Sequence, residues 1–115
     1  MMNNCIFCNI IDREIKAQIL YENDDVLAFR DLNPQAPLHV LIIPKTHIAT
    51  INDLEIKYAD TVGKLYLAAK KIAMDEGYAD DGYRVVMNCG AAAGQTVFHL
   101  HLHLLAGRVL KWPPG

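Results

Sequence analysis

The chain has 115 residues, 52% of them apolar and 21% charged, a composition that suits one globular domain with room for a single core. Eleven basic against 13 acidic residues leave a net charge of −2 with no basic run, which speaks against a nucleic-acid surface. No apolar stretch reaches the roughly 18 residues of a membrane span.

The opening Met1-Met2-Asn3-Asn4 is polar and carries neither the basic nor the apolar part of a secretory leader. Three cysteines, an odd number, make no disulfide framework, and these features together point to a reducing, cytoplasmic compartment. Cys5 and Cys8 have the C-x-x-C spacing of a zinc half-site. A structural zinc needs four ligands, and His39 and His99 are the candidates to complete it. A thioredoxin-like redox pair is disfavoured, because that motif follows a strand and opens a helix, and here it stands almost at the start of the chain.

Ile19-Leu20-Tyr21 and Val26-Leu27-Ala28-Phe29 read as two strands of a hairpin around Glu22-Asn23-Asp24-Asp25. Pro34 and Pro37 break the next stretch into a loop. His39-Val40-Leu41-Ile42-Ile43 is then a third, β-branched strand stopped by Pro44. Asn52 and Glu55 have capping-box spacing, and apolar residues at Tyr58, Val62, Leu65, Ala69, Ile72 and Ala73 predict one long amphipathic helix ending at Gly77. Tyr83 to Asn88 is a fourth strand, and Gly90 to Gly94 a loop without bulky side chains, open to an anion at its backbone N–H groups. Cys89, alone before that loop, reads as a small packing residue.

The fifth strand, Val97 to Leu105, carries the chemistry. In His99-Leu100-His101-Leu102-His103-Leu104 an extended chain sets three imidazoles on one face and three leucines on the other. Apolar residues would fill such a strand at less cost, so three imidazoles in register mark a site. At about 3.3 Å per residue His99 and His103 stand some 13 Å apart and cannot share one ion, so the first can serve a metal while the others face a substrate. A neutral imidazole is a competent nucleophile near pH 7, and its neighbours can donate to developing charge on phosphoryl oxygens. The class is α+β: a five-stranded antiparallel sheet with the helix on one face and the histidines exposed on the other.

From Gly94-Gln95 through His99-Leu100-His101-Leu102-His103-Leu104-Leu105 the chain resembles the histidine triad (HIT) family. The resemblance continues through Asp31 to His39, through Ile43-Pro44-Lys45-Thr46-His47 and through the tail Trp112-Pro113-Pro114-Gly115, which is similar to the Hint branch of purine nucleoside phosphoramidases. It implies a homodimer with joined sheets, a purine nucleotide substrate, and hydrolysis at the α-phosphorus through a nucleotidyl-histidine. His101 would be the nucleophile, with His103 near the α-phosphate and His99 and His39 behind them. On its own Asp31 reads as a turn-forming aspartate or as a ribose acceptor; the resemblance selects the ribose. It also implies Leu32 and Phe29 at the base, and Asn88, Gly94, Gln95 and Thr96 on the phosphate side. Trp112 would help select substrates across the dimer. His47 is left as a structural or supporting residue, and zinc, where bound, would be structural. The alternatives are a dinucleoside polyphosphate hydrolase and a nucleotide-binding dimer without turnover.

Overall fold

A computed structural model describes residues 3–115; Met1 and Met2, part of the polar opening, lie outside the described residues. In chain order the elements are α1 (Ile6–Ile11), β1 (Ile19–Glu22), β2 (Val26–Arg30), β3 (Leu38–Pro44), α2 (Ala59–Asp75), β4 (Tyr83–Val86) and β5 (Leu102–Ala106). The strands form the five-stranded antiparallel sheet expected from the sequence, and their order is β1-β2-β3-β5-β4. Between β3 and β5 the chain crosses the sheet through α2 before returning along β4, which leaves β1 and β4 at the edges.

Alternation along the strands builds two cores. Val26 and Ala28, Leu38, Val40 and Ile42, and Leu100, Leu102 and Leu104 point to the face that α2 covers with Leu65, Ala68, Ala69 and Ile72. Those helix positions recur at three- and four-residue steps and present one stripe. The opposite face carries Leu27, Phe29, Leu41 and Ile43, packed against Phe7 and Ile10 of α1.

That second core corrects one expectation, since the histidine face is partly roofed by a six-residue helix. The apolar run Ile6-Phe7 and Ile10-Ile11 is too short to show helical periodicity by itself. Its start is set by Cys5, whose sulfur accepts the Cys8 backbone N–H at 3.4 Å. The N-terminal strand of chain is tied down by Asn9, a buried amide that accepts from the Asn3 N–H and donates to the Asn3 carbonyl, both at 2.8 Å.

Two boundaries also move. The capping box belongs to Thr50 and Asp53, not to Asn52 and Glu55. Thr50 Oγ1 accepts from the Asn52 N–H, Asp53 Oδ2 accepts from the Thr50 N–H, and together they cap a short 3₁₀ turn, Ile51–Asp53. α2 itself begins at Ala59. β5 starts at Leu102 and not at Val97, because the Leu100 N–H is taken by the carbonyl of Ile48, beyond the end of β3. Of the three histidines only His103 lies in the ladder, opposite Leu41 and Val86.

Candidate active site and metal site

The alternation nevertheless holds from His99 onward: Leu100, Leu102 and Leu104 are buried under α2, and the imidazoles face α1. The Phe7 ring meets His99, His101 and Phe29 edge-on, with centroids 5.8, 5.1 and 5.5 Å away. One aromatic side chain therefore packs against both His99 and His101.

Hydrogen bonds assign each imidazole its tautomer, because a ring nitrogen facing a carbonyl must donate. His99 Nε2 donates to the Pro44 carbonyl at 2.8 Å, which leaves a lone pair on Nδ1. His101 is the reverse: Nδ1 donates to the His99 carbonyl at 2.7 Å, and Nε2 keeps the free pair. His39 Nδ1 accepts the Gln35 N–H at 3.0 Å, so its proton sits on Nε2 and reaches His103 Nδ1 at 2.9 Å. His103 then carries its own proton on Nε2. Asp31 Oδ2 stands 3.5 Å from His39 Nε2, and Oδ1 accepts from the Asn33 N–H in the turn that follows β2.

Burial holds His103 down to about 4, assisted by the nearby His101 and His39 and opposed by Asp31. Burial likewise lowers His39 against the pull of Asp31. Both are therefore neutral at pH 7, as the donor chain requires. The group Asp31, His39 and His103 is close enough to hold a cation, yet Gln35, His39 and His103 already satisfy one another along it.

His101 and His103 border a cavity of about 280 Å³ together with Phe29, Asp31, Leu32 and Thr96, six of the residues expected to handle a nucleotide. Asn88, Gly94 and Gln95 are not on its wall. Gln95 shows why. Its buried amide donates to the carbonyls of Ala49 and Val97 and accepts the Gly90 N–H, so it ties the loop down. Gly94, in the left-handed region at φ 93°, closes that loop after its 3₁₀ turn. The sequence reading missed Phe7, Ile10, Ile15, Lys16 and Leu41, which also line the cavity. The signal for Phe7 and Ile10 was the apolar three-residue step that starts inside the cysteine motif and ends two residues beyond it.

The second group is Cys5, Cys8, His47 and His99, whose ligand atoms all lie within 4.8 Å of one another. Here the expectation for His39 is corrected. His39 is turned toward His103, and His47, just beyond β3, takes the fourth place. The edges are 3.3 Å (Cys5 Sγ to His99 Nδ1), 3.6 Å (Cys8 Sγ to His99 Nδ1), 3.4 Å (Cys8 Sγ to His47 Nδ1) and 3.1 Å between the two Nδ1 atoms. Tetrahedral zinc bonds of about 2.3 Å to sulfur and about 2.05 Å to nitrogen give sulfur-to-nitrogen edges near 3.5 Å and a nitrogen-to-nitrogen edge near 3.3 Å, so the set fits. The His99 proton donated to Pro44 is the outer bond that a metal-bound imidazole makes. Burial, then the neighbouring Cys5 sulfur, push the Cys8 thiol up to about 11, so a cation would have to displace its proton. Cys89 is free and half-buried, away from both groups.

Among the described residues no helix is long and apolar enough to cross a membrane. Trp112 is 81% exposed.

A family model for the HIT domain matches residues 12–110. The purine nucleoside phosphoramidase of Escherichia coli K12 is 49% identical over 110 residues, covering 96% of this chain and 92% of that protein. The 14 kDa zinc-binding protein of Zea mays is 48% identical over 112 residues, covering 96% and 87%. The crystal structure of a HIT family hydrolase from Legionella pneumophila Philadelphia 1 superposes with a TM-score of 0.96 at 51% identity, covering 97% of this chain and all of that one. Sheet order, histidine strand and these likenesses agree, and the chain belongs to the HIT domain family.

Proposed function

We propose that this HIT-family hydrolase cleaves the P–N bond of purine nucleoside phosphoramidates, releasing AMP or GMP and an amine, with aminoacyl-adenylates as a related substrate class. The observation that carries the reading is the tautomer of His101: its Nδ1–H is held by the His99 carbonyl, so the free pair on Nε2 is available to the cavity. In the first step Nε2 bonds to the α-phosphorus, the P–N bond breaks, and the amine departs with its electron pair and a proton taken from solvent. Water then attacks the same phosphorus, gives up its proton to solvent, the P–His bond breaks with its electron pair returning to Nε2, and the nucleoside monophosphate leaves. His103, with its proton on Nε2, donates to the phosphoryl oxygens as charge grows there. His39 positions His103, and the Thr96 hydroxyl stands on the same wall as a donor to phosphate or leaving group.

At the nucleoside end, Asp31 would accept from the ribose hydroxyls, while Phe29 and Leu32 flank the base. Asn88, Gly94 and Gln95 would act from behind, by shaping the loop whose backbone faces phosphate. Zinc would sit on Cys5, Cys8, His47 and His99 and supply folding energy through four fixed bonds; no step of the reaction passes through it. The edge of β4 and the exposed Tyr66, Leu67 and Met74 of α2 support a homodimer with joined sheets, and Trp112 would reach the partner's site. A cytoplasmic location suits free thiols.

The deciding assay compares amine release from an adenosine phosphoramidate with hydrolysis of a diadenosine polyphosphate. Turnover of the phosphoramidate with the larger kcat/KM is the expected result, and preference for the polyphosphate would overturn the substrate class. Tight nucleotide binding without turnover of either would leave a binding module.

A further inference from the structure

Two permanently charged cations border the cavity at His101, and they differ in one respect. The Arg30 guanidinium donates to Glu76 at 2.8 Å and is committed. Lys16, exposed at the rim, has no carboxylate or carbonyl partner among the described residues. Other cations of the chain are ion-paired, among them Arg13 and Lys45 with Glu22, Lys64 with Asp25 and Lys71 with Asp75, while Lys70 and Lys111, like Lys16, carry no such pair among the described residues but do not line this cavity.

The position of Lys16 follows from the sheet. β1 and β2 are paired at Ile19 and Phe29, and the Arg30 N–H continues the pairing to the Gln18 carbonyl at 3.0 Å. Lys16 lies two residues before Gln18 and lines the same cavity as Asp31, Leu32 and the apolar side chains Ile10, Ile15 and Phe29. Apolar walls take the faces of a planar ring and leave only its edge to be read by polar groups. Lys16 is an unpaired donor on that wall.

An ammonium offers three donors and no acceptor. The exposed edge of guanine presents two acceptors, N7 and O6, whereas adenine presents N7 beside an amino donor. We propose that Lys16 reads the base and makes this enzyme prefer 6-oxopurine nucleotides, those of guanine and hypoxanthine, over adenine nucleotides. The proposal rests on the cavity being a purine nucleotide site. Because the contact is equally present in ground and transition state, its loss should appear in KM and leave kcat in place.

The test uses guanosine, inosine and adenosine phosphoramidates of one amine, with the wild-type chain, Lys16→Met and Lys16→Arg. Methionine keeps the apolar stem and removes the donors. In Lys16→Met, kcat/KM for the guanosine and inosine substrates should fall about fivefold through KM, the adenosine substrate should be unaffected, and Lys16→Arg should retain most of the preference, in keeping with one charge-assisted hydrogen bond in an exposed setting. Equal loss on all three bases would assign Lys16 to phosphate attraction and overturn the proposal, as would no change on any. Should the wild-type chain turn over none of them, the reaction class fails separately. Calorimetric Kd values of the same variants for GMP, IMP and AMP then decide the proposal by the same base-selective pattern.

Discussion

Replacing His47 with alanine separates a metal ligand from a surface residue more sharply than any other substitution in this chain. His47 is exposed, so without a metal its loss removes little packing and should change stability by no more than about 0.5 kcal/mol. With zinc the same substitution removes one of four ligands and the metal with it. A metal held at free concentrations about 100 times its Kd stabilises the folded state by about 2.7 kcal/mol. At about 4 to 8 °C per kcal/mol for a domain of this size, losing it lowers Tm by roughly 10 to 20 °C. The assay is zinc content by mass spectrometry of protein purified without chelator, with thermal melts before and after chelation. His47→Ala should be zinc-free and chelator-insensitive, melting where the chelated wild type melts, and His39→Ala should keep about one zinc per chain. Full zinc in His47→Ala, or its loss in His39→Ala, would refute the ligand set.

Phe7→Ala should cost about 3 to 5 kcal/mol by urea denaturation, since the ring is buried against Phe29, His99 and His101; a loss under 1 kcal/mol would contradict its place in the second core. In metal-free protein His99 and His103 both titrate near 4, below their ordinary 6.5, chiefly through burial. The unfolded chain therefore takes up protons first, so their contribution to stability is complete above pH 6.5 and is lost as pH falls from 6.5 toward 4, measurable as a falling urea midpoint; a flat profile across that range would contradict it. Deleting residues 112–115 should alter relative kcat/KM among phosphoramidates with different amines more than it alters AMP affinity, and equal effects on every substrate would reduce Trp112 to packing.

The five strands and the histidine face were legible because period-two alternation survives even where the ladder does not: His99 and His101 precede β5 yet still point with His103. What escaped the sequence was set by tertiary contacts. Of the two histidine ligands the strand spacing singled out His99, but the other could not be found by spacing, since His47 reaches the site only because the chain beyond Pro44 folds back beside His99, whose imidazole bonds the Pro44 carbonyl. The capping residue of the helical segment was displaced in the same way, because Thr50, Asn52 and Asp53 are all competent and the backbone geometry at Thr50 decided. Gln95 carried a phosphate role by resemblance, and only the structure shows its amide fully engaged with backbone.

The orientation of His101 is the central claim, and trapping its covalent intermediate tests it most directly. Wild-type enzyme mixed with an adenosine phosphoramidate, quenched in mild base and digested, should show an adenylyl mass on the peptide containing His101. His101→Ala should lose that mass and its turnover while still binding AMP. An adenylyl group on His103 or His99, or turnover near the wild-type rate in His101→Ala, would contradict the assignment.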